Sequence, residues 1–280
     1  MEKLGNRRKT GTEQYYTPDE LALDLTRTLI ETVGVKRKFL EPAGGTGAFI
    51  TALEQLGAKQ IESVDIHPLH PKVEKANFLN YVPSAEDFVT ISNPPFGRNN
   101  ALAIPFFNHA AHYSSHIAFL VPRSWRKWSV INRLDQNFHL LEDLDVQVNY
   151  VSASGERFGM RNALRSCFQI WERREASRGL IRVADNALIQ KTSPEDADLA
   201  IRVFGYGCGT VYRDFPRIKN TTLMFLRVLD RQVFDVIEGL DYGRFSKNTA
   251  YTQAVALPEI NFLLNEAIFA DPMIRSEANN

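Results

Sequence analysis

Phe88-Val89-Thr90-Ile91-Ser92-Asn93-Pro94-Pro95-Phe96-Gly97 joins an apolar run to a turn holding an amide side chain, two prolines and an aromatic ring. Phe88 to Ile91 reads as a short buried strand. Two prolines shortly after it stop the strand and fix a rigid, extended turn. In that turn the Asn93 oxygen and the Pro94 carbonyl are acceptors, and Pro95 brings no N–H of its own to compete for them. The combination suits an exocyclic amino group on a planar ring: two acceptors meet its two hydrogens, and Phe96 stacks on the ring. A purely structural Pro-rich turn is the competing reading of these residues alone, and what precedes them in the chain shifts the balance.

Upstream, Phe39-Leu40-Glu41-Pro42-Ala43-Gly44-Gly45-Thr46-Gly47-Ala48-Phe49 runs from an apolar strand end through a glycine-rich turn into a helix-like stretch, Phe49 to Leu56. Glycines at such a turn let the backbone come close to a ligand. The turn also resembles a dinucleotide fingerprint, but that pattern needs a further glycine near Ile50, and none is there. A second strand, Gln60 to Asp65, ends in an acid 21 residues after Gly44. A carboxylate at that point typically bonds ribose hydroxyls. Taken singly, Asp65 reads as a turn residue. The order of glycine turn, acid and Asn-Pro-Pro-Phe is far more specific than any one of them.

These motifs resemble those of class I S-adenosylmethionine-dependent methyltransferases that methylate amino groups, and among them the N6-adenine DNA methyltransferases. Gln14-Tyr15-Tyr16-Thr17-Pro18 resembles the family's N-terminal cofactor motif. Glu41 to Phe49 resembles its glycine-rich motif, although the family often has Asp and Cys where this chain has Glu41 and Gly44. Asp65-Ile66 resembles the ribose-acid step. Asn77-Phe78-Leu79 resembles the segment touching the cofactor adenine, where Asp is commoner than Asn. With the cofactor motifs first and Asn93 to Phe96 after them, the order resembles the gamma arrangement. The resemblance covers residues 12 to 175. It implies S-adenosylmethionine as cofactor, held by Tyr16, Thr17, Pro18, Glu41, Ala43, Gly44, Gly45, Gly47, Asp65, Ile66, Asn77 and Phe78. It implies Asn93, Pro94, Pro95 and Phe96 as the catalytic set.

A coarse pass along the chain gives alternating elements. Leu21 to Val33, Leu102 to Tyr113 and Val130 to Phe138 read as helices. Lys38-Leu40, Ile61-Val64, Val89-Ser92, Ile117-Val121 and Asp145-Val151 read as strands. Alternation argues for an α/β fold with a mostly parallel sheet covered on both faces. Arg165 to Trp171 is a further apolar strand, and 154–159 reads as the loop before it. The resemblance makes these last strands the antiparallel end of a Rossmann-like methyltransferase fold. After Arg178-Gly179 the pattern changes. Leu180 to Val183, Ala200 to Phe204 and Leu223 to Leu229 read as strands, and Gln232 to Gly239 and Pro258 to Phe269 as helices. The expected organisation is a catalytic domain over residues 1–178 and a small α+β domain over 179–280. In the family such an appended domain often recognises the target; a structural extension of the core is the other reading.

The chain has 280 residues and net charge zero. Its apolar share is ordinary for a globular protein. No apolar run reaches the length of a membrane span, and the N-terminus carries no apolar leader. The two cysteines, Cys167 and Cys208, and the six scattered histidines lack metal-ligand spacing. A soluble, cytoplasmic enzyme without a metal, and with nucleic acid as its partner, is expected. Charge is informative only locally. Arg7-Arg8-Lys9 precede the first motif, and Val151 to Arg182 contains seven arginines and three glutamates. Basic runs are usually solvated faces. Here basic segments follow strands that border the expected site, so Arg123, Arg126, Lys127 and Arg157 are phosphate-contact candidates, and Arg244 and Lys247 are two more, in the polar, aromatic stretch Tyr242 to Thr249 that reads as a loop.

The expected reaction is methyl transfer to the N6 amino group of a flipped adenine in DNA. The same chemistry on RNA, and an inactive nucleic-acid-binding relative, are the alternatives. The family's methylglutamine-forming protein enzymes have Tyr where this chain has Phe96. Carbon-5 cytosine methylation fits poorly, because its nucleophilic cysteine follows a proline, whereas Ser166 and Gly207 precede the cysteines here.

Overall fold

The first 179 residues supply the strands of one sheet, with the apolar runs Phe39-Leu40, Phe88 to Ile91 and Ile117 to Val121 on its central strands. In a computed structural model, which describes residues 15–152 and 164–273, they are β1 (Lys38–Glu41), β2 (Gln60–Asp65), β3 (Glu74–Lys75), β4 (Phe88–Ser92) and β5 (Ser114–Pro122), followed by β6 (Phe138–Gln147) and β7 (Arg165–Arg173). They form one sheet in the order β3-β2-β1-β4-β5-β7-β6. The pairings from β3 across to β5 are parallel. β7 alone runs the other way, antiparallel to both β5 and β6. This is the expected Rossmann-like sheet, closed by an antiparallel hairpin. β1 is the switch point: β2 lies on one side of it and β4 on the other. In open sheets of this kind a crevice opens beyond the carboxyl ends of the strands at the switch point.

Helices α1 (Asp19–Val33), α2 (Ala48–Gln55) and α3 (Ala103–Ala111) join these strands, and α1 and α2 pack on each other. Every residue of β4 is buried, as a central strand covered on both faces requires. The core beside it is aromatic. Phe107 of α3 has the rings of Phe119, Trp125, Phe138 and Trp171 at 5.8, 5.9, 5.5 and 5.7 Å. These tilted and edge-on contacts are the favoured geometries for aromatic pairs.

Two expectations need correction. The helix expected over Val130 to Phe138 shrinks to α4 (Trp128–Ile131), and the strand expected from Asp145 to Val151 begins at Phe138 and ends at Gln147. Asp135 is the reason the helix stops. Its carboxylate accepts from the Asn137 N–H, and its own N–H donates to Asn108 Oδ1, a local pairing that competes with helix. The strand is hidden in the sequence because it is an edge strand. Only Phe138 and Val146 are buried, and a register shift between Leu140 and Glu142 breaks the alternation.

The chain separates into two compact units, Met1–Gly179 and Leu180–Asn280. The second is built on an antiparallel sheet, β10-β9-β11-β8, from β8 (Ile189–Lys191), β9 (Leu199–Arg202), β10 (Val211–Tyr212) and β11 (Leu223–Val228). Helices α5 (Val233–Val236), α6 (Gly243–Ser246) and α7 (Leu257–Phe269) complete it. Ala197, Ala200, Phe215 and Phe225 form a buried cluster there. Leu180 to Val183 is not a strand; Val183 makes a single bridge to Met273. Arg7, Arg8, Lys9, Gln14, Arg157 and the loop 154–159 lie outside the described residues. No helix among the described residues is long and apolar enough to cross a membrane.

Candidate functional site

The carboxyl end of β1 leads straight into the glycine turn. Gly44 N–H donates to the Val64 carbonyl at 3.0 Å and Gly47 N–H to the Gly44 carbonyl at 2.7 Å, so the turn is tied to β2 and to itself. Gly45 has φ +46°, and a Cβ there would lie 2.8 Å from the Tyr16 ring. Gly47, at φ +85°, sets the left-handed entry to α2. The end of β2 meets this turn. Asp65 accepts from Gly45 N–H at 2.9 Å through one oxygen and from His67 N–H at 2.7 Å through the other. Burial, and then the Asp65 charge, push the Tyr16 phenol above its ordinary pKa, so it stays a neutral ring against the turn. Asn77 caps a short 3-10 turn, accepting from Leu79 N–H at 3.1 Å. Phe78 is buried, with the His109 ring edge-on at 4.8 Å.

The Asn-Pro-Pro-Phe turn leaves β4 beside it and is fastened at three points. Ser92 Oγ donates to Glu41 Oε1 at 2.6 Å. Asn93 Nδ2 donates to the Tyr15 carbonyl at 2.9 Å, which fixes the amide's orientation. The Phe96 carbonyl accepts from Leu102 N–H at 3.2 Å. With its nitrogen engaged, Asn93 is left with a buried oxygen that has no hydrogen-bond partner among the described residues. Thr17 Oγ1 is in the same condition. A buried acceptor without a partner carries a desolvation cost, and a ligand donor removes it.

Glu41 lies beneath both turns. It is 1 % exposed, and its Oε1 accepts from Ser92 Oγ and from Ala43 N–H at 3.0 Å. Burial pushes its carboxyl up to about 8, with those two hydrogen bonds opposing and the Asp65 charge adding to the rise. One buried acid thus links the glycine turn to the Asn-Pro-Pro-Phe turn.

A cavity of ≈ 330 Å³ opens between the two turns, within the range of small-molecule sites. Tyr16, Thr17, Ala43, Gly44, Gly45, Asp65, Ile66, Asn77 and Phe78 line it, as do Asn93, Pro94, Pro95 and Phe96. Three of the residues expected at the cofactor do not. Pro18 precedes α1, Glu41 lies under the floor, and Gly47 faces the His70 ring. Tyr15, Leu102 and Phe106 line the cavity without having been singled out as site residues. Tyr15 acts on Asn93 through a backbone carbonyl, which no residue type betrays. Leu102 and Phe106 belong to the start of α3 and look like ordinary core residues.

The basic candidates fare differently. Arg123 pairs with Asp145 at 2.9 Å; Arg126 pairs with Asp143 at 2.6 Å and with Asp145 at 2.7 Å. Both acids stand on β6, the strand whose extent the sequence concealed. In this structure Arg123 and Arg126 are therefore engaged in ion pairs within the first unit. Arg178 likewise donates to the carbonyls of Leu134 and Phe138 at 3.0 and 3.1 Å. In the second unit Arg244 pairs with Glu266 at 2.7 Å and lies 4.9 Å from the Phe262 ring. Lys127 is half-buried at the start of α4, and Lys247 is exposed. Cys167 is buried, and burial raises its thiol pKa; Cys208 is half-buried.

No protein-family model matches this chain, and no curated protein matches it. Solved structures do align with it. A protein of Pyrococcus horikoshii, provisionally described as an RNA methyltransferase, is 16% identical with a TM-score of 0.48, over 60% of this chain and 90% of its own. The modification subunit of a provisionally described type I restriction enzyme from Vibrio vulnificus is 16% identical with a TM-score of 0.41, over 59% of this chain and 46% of its own. TrmN from Thermus thermophilus is 16% identical with a TM-score of 0.39, over 56% of this chain and 49% of its own. At such identities and scores the sheet order and the cavity themselves carry the reading.

Proposed function

We propose that this protein is an S-adenosylmethionine-dependent methyltransferase acting on the N6 amino group of adenine in DNA. The observation that carries the proposal is the Asn93 amide. Its nitrogen is anchored on the Tyr15 carbonyl, while its buried oxygen at the cavity wall has no partner among the described residues. An acceptor so held is pre-organised for an amino hydrogen. The Pro94 carbonyl is the second acceptor on the same turn. Phe96, 7 % exposed and on the cavity wall, offers the ring on which a base stacks.

The cavity suits the cofactor. Asp65 lies at the strand end where ribose hydroxyls are typically bound. The glycine turn gives close backbone approach, and Thr17 Oγ1 is a further buried polar group without a partner among the described residues. Bound there, S-adenosylmethionine supplies an electrophilic methyl group. The chain's own residues do the rest. An adenine amino nitrogen is a weak nucleophile because its lone pair is delocalised into the ring. Hydrogen bonds to Asn93 and Pro94 favour a pyramidal nitrogen with its lone pair directed at the methyl group. This is catalysis by positioning and electrostatics, with no covalent enzyme intermediate. Extruding the base from a duplex costs a few kcal/mol, and stacking worth about 1–3 kcal/mol offsets much of it.

DNA rather than RNA rests on the motif order. The test is binding of S-adenosylmethionine by calorimetry, followed by transfer of labelled methyl to duplex DNA, single-stranded DNA and RNA. The wild type binds the cofactor and labels DNA above RNA. Asp65→Ala weakens cofactor binding by roughly 1.5–3 kcal/mol, as for a lost hydrogen bond to a charged group. Equal binding by the variant removes Asp65 from the cofactor site, and label on RNA alone replaces the substrate.

A further inference from the structure

Between β9 and β10 the second unit carries Val203-Phe204-Gly205-Tyr206-Gly207-Cys208-Gly209-Thr210. Its own backbone braces this loop. Gly209 N–H donates to the Arg202 carbonyl at 2.7 Å, Cys208 N–H to Gly205 at 3.2 Å and Thr210 N–H to Gly207 at 3.0 Å. Thr210 Oγ1 adds a bond to the Gly207 carbonyl at 2.8 Å. Gly205 N–H donates to the Gln253 carbonyl at 2.9 Å, and Phe204 bridges Ala254. On this braced frame Tyr206 is 100% exposed and Phe204 49%. One fully exposed and one half-exposed aromatic side chain thus stand on a loop braced by its backbone.

Cations predominate in the segments that carry and brace the loop, with Asp214 and Asp241 just beyond them. Neither Arg202 to Arg213 nor Gly243 to Pro258 contains an Asp or Glu. Arg213 pairs with Glu238 and Arg244 with Glu266. Arg202 and Lys247 make no ion pair among the described residues. Arg202 lies beside the loop, its guanidinium 5.8 Å from the Tyr212 ring. Lys247 follows Ser246, whose carbonyl accepts from Ala254 N–H at 3.0 Å next to the Phe204 bridge. Aromatic faces stack on any base, and cations beside them meet the backbone phosphates. A duplex buries its base faces, so unpaired nucleotides are the partner that fits. A second copy of the chain fits less well, because Gly, Thr, Arg and Lys adjoin the rings rather than further apolar side chains.

We infer that the Phe204–Tyr206 loop is a stacking platform for unpaired nucleotides, with Arg202 and Lys247 as its phosphate contacts. The inference rests on the reading of this protein as a nucleic-acid methyltransferase and specifies the form of nucleic acid that its second unit holds.

The test is fluorescence anisotropy on the full chain, using labelled DNA and RNA single strands of about 12 nucleotides and the matching duplex. The wild type binds either single strand more tightly than the duplex. Tyr206→Ala weakens single-strand binding by roughly 5- to 150-fold, and Tyr206→Phe restores it. Arg202→Ala with Lys247→Ala flattens the salt slope by about 1.4, from two phosphate contacts at about 0.7 each. Thermal melting by circular dichroism confirms that each variant is folded. Wild-type affinity in Tyr206→Ala overturns the inference. So does duplex-only binding, absence of any binding, or a Tyr206→Ala effect confined to self-association in sedimentation. Cofactor calorimetry on the same samples separates this failure from failure of the functional reading, since wild-type protein that binds no S-adenosylmethionine sinks that reading whatever the loop does.

Discussion

In the proposed reaction Asn93 meets the target amino group, and Glu41 braces the turn that carries it. Asn93 donates to Tyr15 and keeps a buried oxygen without a partner among the described residues. Asn93→Ala therefore slows methyl transfer by roughly 2.7–4 kcal/mol in barrier, as for removal of an oxyanion-type partner, and leaves cofactor affinity unchanged. Single-turnover rates near wild type contradict this role. Glu41 titrates at about 8 in the fold because it is buried, against an ordinary 4.5. Between those values the folded chain keeps a proton that the unfolded chain releases, so stability falls as pH rises from about 4.5 to about 8 and levels off above it. Glu41→Gln keeps a carbonyl acceptor for Ser92 and Ala43 but cannot ionise, so denaturation midpoints across that range decline less steeply in the variant. An unchanged decline means that Glu41 is not the group responsible.

The elements show why some of this was legible in the sequence and some was not. Gln60 to Asp65 is a strand from end to end, its β-branched Ile61 and Val64 favouring extended backbone. The glycine turn and the Asn-Pro-Pro-Phe turn each follow a strand, and proline and glycine chemistry alone implies that much. β6 was misplaced for a physical reason: an edge strand with a bulge and an acidic outer face shows neither period clearly. Its acids then altered the meaning of Arg123 and Arg126. The Arg126 side chain is 20% exposed and engages Asp143 and Asp145 together. Arg126→Ala leaves Asp143 without its cation, while Asp145 keeps Arg123, and destabilises the first unit by roughly 1.5–3 kcal/mol, read from urea denaturation. The same variant leaves the salt dependence of nucleic-acid binding unchanged. A flatter slope with unaltered stability restores Arg126 as a phosphate contact.

For the whole molecule, order along the chain carried more information than composition. Net charge zero is silent about partners. The glycine turn, Asp65 and the Asn-Pro-Pro-Phe turn follow one another in sequence, and all three line one cavity beside the switch in sheet order at β1. The second unit was harder to read, because β8 and β10 have only three and two residues and show no periodicity. Its polar stretch Tyr242 to Thr249 drew attention as a loop; in the structure it starts with the short helix α6, and Arg244 is committed to Glu266. The central claim is that the Asn93 turn presents an adenine amino group for methylation. It is tested most directly by incubating the protein with labelled S-adenosylmethionine and duplex DNA, digesting the DNA to nucleosides and separating them by chromatography. Label eluting with N6-methyldeoxyadenosine, and lost with Asn93→Ala, is the result the account predicts. Label on cytosine, on the protein itself, or on no nucleoside while the cofactor is bound would contradict it.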